Sequence, residues 1–392
     1  MSQQLINRSP DLLRLRNEGY NIEIRAGHLL VRDIPYVNSK REIKFGVLVT
    51  ELKLAGDVTT IPDNHVAMFS GEHPCHKDGS EITRIKHTSD RKQIDSDFAV
   101  DHSFSSKPSG GYKDYYEKMI TYIAIISSPA QSIDPNVTAQ TFPVFASAVE
   151  DDSVFNYVDT ASSRAGISVI SKKLELARVG IVGMGGTGSY VLDFVAKTPV
   201  REIHIFDGDK FSQHNAFRSP GAPSVEDLGK HPSKVEYFRE QYSRMHKFIV
   251  PNEGYITASN VDQLAGMDFV FLCLDTGSSR KLLLEKLEAF SVPFIDVGMG
   301  VQQENGALGG ILRITASTML SREKARKRIP VSEGDYDNVY SQNIQVADLN
   351  AITAALAVIK WKKLFGFYRD LENELNCTYT IDGNRIDNED QP

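Results

Sequence analysis

The stretch Arg178-Val-Gly-Ile-Val-Gly183-Met-Gly185-Gly186-Thr-Gly188-Ser189, followed by Glu202-Ile-His-Ile-Phe-Asp207-Gly-Asp209, reads as strand, glycine-rich turn, helix, strand and acid. Glycines 183, 185 and 188 fit the dinucleotide fingerprint: one for the tight turn, one to let backbone approach phosphate, one to pack helix on strand. Asp207 closes the second strand about 20 residues downstream, where a carboxylate accepts hydrogen bonds from ribose hydroxyls. The sequence therefore predicts a bound nucleotide. Taken alone, the fingerprint fits NAD.

The residues that follow argue for a different chemistry. Lys210, Asn215 and Arg218 come first, then Gly229, Lys230 and Lys234, and later Asp275 after the apolar run Val270-Phe-Leu-Cys-Leu. An oxidoreductase has no use for this set beside its pyrophosphate. A triphosphate attacked at its α-phosphorus does, because catalysis there consists of aligning groups and neutralising developing charge with Arg, Lys and magnesium. Asp275, at the carboxyl end of a strand in the crevice of the sheet, is placed to hold the metal.

The whole set resembles the adenylation domain of the ThiF/MoeB group and of ubiquitin-activating enzymes, over about residues 155 to 315 plus the helical stretch 347 to 365. The family pattern G-x-G-G-x-G-S matches Gly183 to Ser189 without a gap, and D-x-D followed by N-x-x-R matches Asp207, Asp209, Asn215 and Arg218. The resemblance implies that Gly183, Gly185, Gly186 and Gly188 cradle ATP. It implies further that Asp207 binds ribose and that Asn215 and Arg218 hold the triphosphate. The family lysine looks like Lys234, with Lys230 as rival, and Asp275 looks like the magnesium aspartate, although Thr276 and Gly277 stand where an Asn is usual. Arg164 resembles the arginine that reaches into a partner subunit's ATP site. The implied activity is ATP- and Mg2+-dependent adenylation of the C-terminal carboxylate of a small ubiquitin-like or sulfur-carrier protein with a Gly-Gly tail. A homodimer and a conjugating enzyme are the implied partners.

Two departures from the family pattern matter. The chain has three cysteines, Cys75, Cys273 and Cys377, and no Cys-x-x-Cys pair, so no structural zinc is expected. Residues 316 to 343, the expected mobile loop, contain no cysteine that could form a thioester. Either the reaction stops at the acyl adenylate, or a hydroxyl of Ser317, Thr318 or Ser321 carries the acyl group as an oxyester. The first is the expectation, because an unactivated serine is a weak nucleophile.

Outward from the glycine loop, apolar strands alternate with helical patterns: strand 178 to 182, helix 188 to 197, strand 201 to 206, helix 233 to 246, strands 254 to 258 and 267 to 274, helix 278 to 290, and strands 293 to 297 and 308 to 314. This predicts an α/β, Rossmann-like, doubly wound and mostly parallel sheet. A helix at 347 to 365 and a strand at 377 to 381 follow. Residues 151–392 are thus read as the adenylation domain, and 1–150 as an α+β accessory domain that selects substrate or acceptor. In that domain a helix at 11 to 18 and strands at 20 to 25, 28 to 33, 47 to 54 and 65 to 69 are expected. Residues 112 to 126 read as a helix merging into a strand, and Pro129, Pro135 and Pro143 as marks of an irregular connector. Glu72-His-Pro-Cys75-His-Lys-Asp-Gly79 reads as a solvated loop; it also faintly resembles the His-Pro-Asn turn of ubiquitin-conjugating enzymes, with Thr83 where their cysteine would fall. Asp101-His-Ser103 reads as shaping a loop, and the basic run 322 to 328 as a solvated helix face.

Composition narrows the function classes. With 44 basic and 51 acidic residues the net charge is -7, which gives no general electrostatic reason to bind nucleic acid. No apolar run approaches the roughly 18 residues of a membrane span, the start is unlike a signal peptide, and a reducing cytoplasm is the expected home. The rival readings are an NAD-dependent oxidoreductase, a nucleotide-sensing scaffold without turnover, and activation of a small molecule or tRNA base.

Overall fold

The structure is a computed structural model that describes residues 2–146, 153–274, 277–331 and 344–389. The chain divides into two compact units, Met1–Phe145 and Ala146–Pro392.

In the first unit an antiparallel six-stranded sheet runs in the order Ile22–Arg25, His28–Val37, Ile43–Glu51, Val66–Ser70, His102–Ser105, Lys86–Thr88. The helix Tyr115–Ile133 packs on one face, where Tyr115, Met119, Tyr122 and Ile126 meet Leu29, Val31, Phe69 and Phe104. That helix corrects the expected helix-to-strand switch and the reading of Pro129 as part of an irregular connector. Buried side chains at 115, 119, 122, 126 and 130 follow helical spacing, which outweighs the β-branched texture, and Pro129 lies inside the helix. Asp114 caps it by accepting the Glu117 N–H at 2.7 Å. The opposite sheet face carries Leu30, Val49 and Met68, covered by Ile94, Phe98 and Val100 of a short hairpin.

The second unit is built on an eight-stranded sheet in the order Ile249–Glu253, Glu202–Asp207, Arg178–Val182, Phe269–Leu272, Phe294–Glu304, Ala307–Ser317, Asn376–Thr380, Arg385–Glu389. The first five strands are parallel and the rest antiparallel. Helices Gly186–Val195, Lys234–Tyr242 and Ala347–Leu364 cover one face through Val191, Phe238 and Trp361. Helices Gly277–Ala289 and Arg322–Arg328 cover the other through Leu283, Leu287 and Ala325. Both faces are covered, and the strand Phe269–Leu272 near the middle of the sheet is accordingly apolar and fully buried.

Three expectations are corrected here. The third strand is Ile249–Glu253 rather than 254 to 258: the preceding helix ends at Tyr242, and Gly254 turns the chain at φ +124°. The pair at 293 to 297 and 308 to 314 is one long hairpin, Phe294–Glu304 with Ala307–Ser317, closed by Asn305-Gly306 with both residues at positive φ. That is the dipeptide a tight hairpin turn demands. The last strand, Asn376–Thr380, is joined by an unanticipated partner, Arg385–Glu389.

Across the sheet, Asp296 is 0% exposed and accepts from Arg280 Nε at 3.0 Å and from Arg313 Nη2. Arg280 also donates to the carbonyls of Leu274 and Pro330. A carboxylate buried this deeply is tolerated because two guanidinium groups satisfy it.

Candidate nucleotide site

The glycine loop closes by contacts that leave no room for a side chain at Gly183, Gly186 or Gly188, whereas Gly185 borders open space. Gly183 sits at φ +93° with its N–H on the Phe206 carbonyl at 2.8 Å, and a Cβ on Gly188 would collide with the Gly183 carbonyl. Gly185 caps the helix Gly186–Val195, so the first-turn N–H groups of that helix face the crevice at the carboxyl ends of the strands. Asp207 ties this loop to the next strand: Oδ2 accepts Met184 N–H at 2.7 Å and Oδ1 accepts Asp209 N–H at 2.8 Å. Asp207 is 9% exposed, and Oδ2 keeps a second lone pair for a ribose hydroxyl.

Lys234 begins the helix Lys234–Tyr242, which Ser233 caps by accepting the Glu236 N–H. At 6% exposure its ammonium lies 2.6 Å from Asp209 Oδ2 and 3.5 Å from Asp207 Oδ1. Its hydrogen bond, followed by one from Tyr255, holds Asp209 below its ordinary carboxylate value. Lys230 instead pairs at the surface with Asp227 at 3.2 Å, so the geometry brings Lys234, not Lys230, to the acids. Asp209 is thereby a partner of the lysine rather than a simple turn cap.

Asn215 is 3% exposed; its Oδ1 closes a capping box on Ser212 N–H at 2.9 Å. Its Nδ2 is buried without a hydrogen-bond partner, and so is Nε of Arg218. Orphaned buried donors are costly, and a polyanion would satisfy both. The residues present therefore fit a nucleotide phosphate chain.

Asn350 escaped the sequence reading. Fully buried on the helix Ala347–Leu364, it accepts from Thr187 Oγ1 at 2.9 Å and donates to the Arg218 carbonyl at 3.2 Å. A Cβ on Gly186 would collide with its amide. One asparagine thus fastens the glycine loop to the Arg218 segment. Its only signal in the sequence was a polar residue amid an Ala, Leu and Ile stretch.

Other expected residues fall elsewhere. Asp275 and Thr276 lie outside the described residues, as do 332–343 of the expected loop. Arg164 ends the exposed helix Thr160–Arg164. Cys273 follows its strand rather than lying within it, and its carbonyl abuts Gly183. Ser317 and Ser321 are 1% and 3% exposed, and Thr318 N–H donates to Ser321 Oγ at 2.8 Å, so burial speaks against these two serines as acyl carriers. The basic run is not wholly solvated: Arg326 pairs with Glu288 and Arg328 with Glu389.

In the first unit the segment 72 to 79 is a turn whose Glu72, His76, Lys77 and Asp78 are exposed, as expected of a solvated loop, while Pro74 and Cys75 are buried. Cys75 is 1% exposed, its N–H bonds the Val37 carbonyl at 2.7 Å, and burial pushes its thiol up. His102 and Ser103 lie on a strand rather than in a loop. Among the described residues no group of three His, Cys, Asp or Glu could hold a metal, and no helix is long and apolar enough to cross a membrane.

A glycine loop at the carboxyl end of a parallel strand, backed by a buried lysine between two carboxylates, defines a nucleotide-binding α/β domain. Residues 130–378 match the ThiF family, and the chain belongs to it. Residues 10–160 match a domain of unknown function, DUF6791. The adenylyltransferase and sulfurtransferase uba4 of Aspergillus clavatus is 29% identical over 126 residues, 31% of this chain and 25% of that protein. The chain thus spans a quarter of that relative's length. Escherichia coli MccB solved with ATP is 18% identical, covering 59% of this chain and 69% of that one with TM-score 0.43. PaaA is 16% identical, covering 57% and 75%, with TM-score 0.42.

Proposed function

We propose that the chain is an ATP-dependent adenylyltransferase that activates a carboxylate of a protein or peptide, specifically the C-terminal carboxylate of a small ubiquitin-like or sulfur-carrier protein ending in Gly-Gly. The observation that carries this is Lys234 between Asp207 and Asp209, beside the orphaned donors of Asn215 and Arg218. An NAD oxidoreductase would leave Lys234, Asn215 and Arg218 without work, and ThiF membership favours the adenylation reading.

In the reaction a carboxylate oxygen bonds to the α-phosphorus of ATP while the bond from that phosphorus to the bridging oxygen breaks, releasing pyrophosphate. Asp207 binds the ribose and orients the nucleotide. Asn215 and Arg218 hold the phosphate chain in line. Lys234, kept in place by Asp209, offsets charge that builds on the α-phosphoryl oxygens. Bare backbone at Gly185 and Gly186 lets the substrate tail come close. Asp275 is the proposed Mg2+ ligand; the metal would neutralise phosphate charge.

The proposal extends to a homodimer in which Arg164 reaches the partner's site, to a cytoplasmic location, and to selection of substrate or acceptor by the first unit as a diverged conjugating module. Substrate-dependent exchange of labelled pyrophosphate into ATP is the test. ATP binding with no exchange in the presence of any Gly-Gly-ended carrier protein would leave the nucleotide-sensing scaffold as the better reading.

A further inference from the structure

The proposed roles leave Tyr255 unused. It follows the strand Ile249–Glu253, which lies beside the strand ending at Asp207, with Asp207 opposite Glu253 in the register. Gly254, at φ +124°, donates to the Asp207 carbonyl and turns the chain so that the tyrosine ring returns over the strand end. The ring lies against Gly208, where a Cβ would fall 2.8 Å from Cδ2 and Cε2. Any larger residue at 208 would push the ring away. The hydroxyl donates to Asp209 Oδ1, whose other oxygen takes Lys234. Tyr255 is thus fixed at its backbone and at its hydroxyl.

It is nevertheless 66% exposed. A large ring held at both ends with most of its surface in water gains little from burial for the order imposed on it. The order of the sheet indicates what it awaits. Phosphate belongs over the glycine loop, after the strand Arg178–Val182, and ribose at Asp207, on the next strand. The following strand in the same direction is Ile249–Glu253, and Tyr255 stands at its end. A nucleotide that runs from the loop through Asp207 carries its base toward that ring.

We infer that Tyr255 is the platform on which the purine base of the nucleotide stacks, held in position by its hydrogen bond to Asp209. This rests on the nucleotide reading of the site. Tyr255 would then link base recognition to chemistry, since its anchor Asp209 also positions Lys234.

The test is calorimetric titration of the intact chain with ATP and with tripolyphosphate, which has no base or ribose. Wild type is compared with Tyr255→Ala and Tyr255→Phe, and thermal melting confirms that all are folded. Tyr255→Ala is expected to lower ATP affinity roughly fivefold to a hundredfold, the range for losing one base–aromatic stack, and to leave tripolyphosphate binding unchanged. Tyr255→Phe keeps the ring and should retain most of the ATP affinity. Unaltered ATP binding by Tyr255→Ala overturns the platform and leaves the nucleotide reading intact. An equal loss for tripolyphosphate also overturns it, because the residue would then act only through Asp209 and Lys234. Wild type that binds neither probe refutes the nucleotide reading and the platform together.

Discussion

Each unit buries lysine, and Lys118 in the first and Lys234 in the second are held in opposite ways. Lys118, 1% exposed in the first unit, donates to Thr50 Oγ1 at 2.8 Å and to the Asn64 carbonyl at 3.0 Å, both uncharged. Lys234, 6% exposed in the second, faces two carboxylates. Burial pushes Lys118 down to about 8, whereas the Lys234 ammonium draws Asp209 down. Neutral oxygens satisfy an ammonium's donors without matching its charge, a structural use that costs stability near neutral pH. Paired carboxylates match the charge as well as the donors, and under the proposed function this ammonium serves the phosphates.

The largest effect that could break this contrast is at Lys234. Lys234→Ala should lower carrier-dependent pyrophosphate exchange about a hundredfold to a thousandfold, the usual cost of one well-placed charge-stabilising donor. An exchange rate within a few-fold of wild type would refute the role given to it. Next comes Gly186→Ala. Its methyl group would meet the Asn350 amide, and overpacking of this kind costs about 1–3 kcal/mol. Melting should show the loss, and Asn350→Ala in the same chain should recover part of it, a coupling that a double-mutant cycle reads directly.

Lys118 gives a pH test of the other pole. The unfolded chain keeps this proton up to the ordinary lysine value, the folded chain only to about 8. Between these values the unfolded state binds more protons, so this group makes stability rise with pH from about 8 upward. Urea unfolding of wild type and Lys118→Met, at pH 8 and at about pH 9.5, should show that rise in wild type and its loss in the variant. Equal pH slopes would mean that the folded-state proton is not displaced. The smallest effect is expected at Lys230, a surface residue paired with Asp227. Lys230→Ala should leave exchange within about twofold of wild type.

How much of this was legible in the sequence follows from range. The glycine loop and Asp207 are contiguous, and local sterics dictate them, so their elements were placed to within a few residues. Lys234 could be narrowed only to a pair, because a capped helix start at Ser233 decides which lysine turns inward. Asn350 was missed because it lies far along the chain, and its polarity makes sense only once Gly186 and Arg218 are beside it. The helix Tyr115–Ile133 was cut short because its Ile and Tyr residues suit a strand equally well. The Asn305-Gly306 turn was the opposite case, a local signal left unused.

The burial of Asp296 has a consequence for how this fold tolerates change. Arg280 and Arg313 share its carboxylate, and Arg280 also binds the carbonyls of Leu274 and Pro330, one at each approach to the stretches 275–276 and 332–343. Replacing Asp296 leaves two guanidinium groups without their carboxylate, and replacing either arginine leaves one carboxylate oxygen without its partner, so no single step away is neutral. The trio forms one unit, to be exchanged whole or kept whole by anyone who redesigns this sheet.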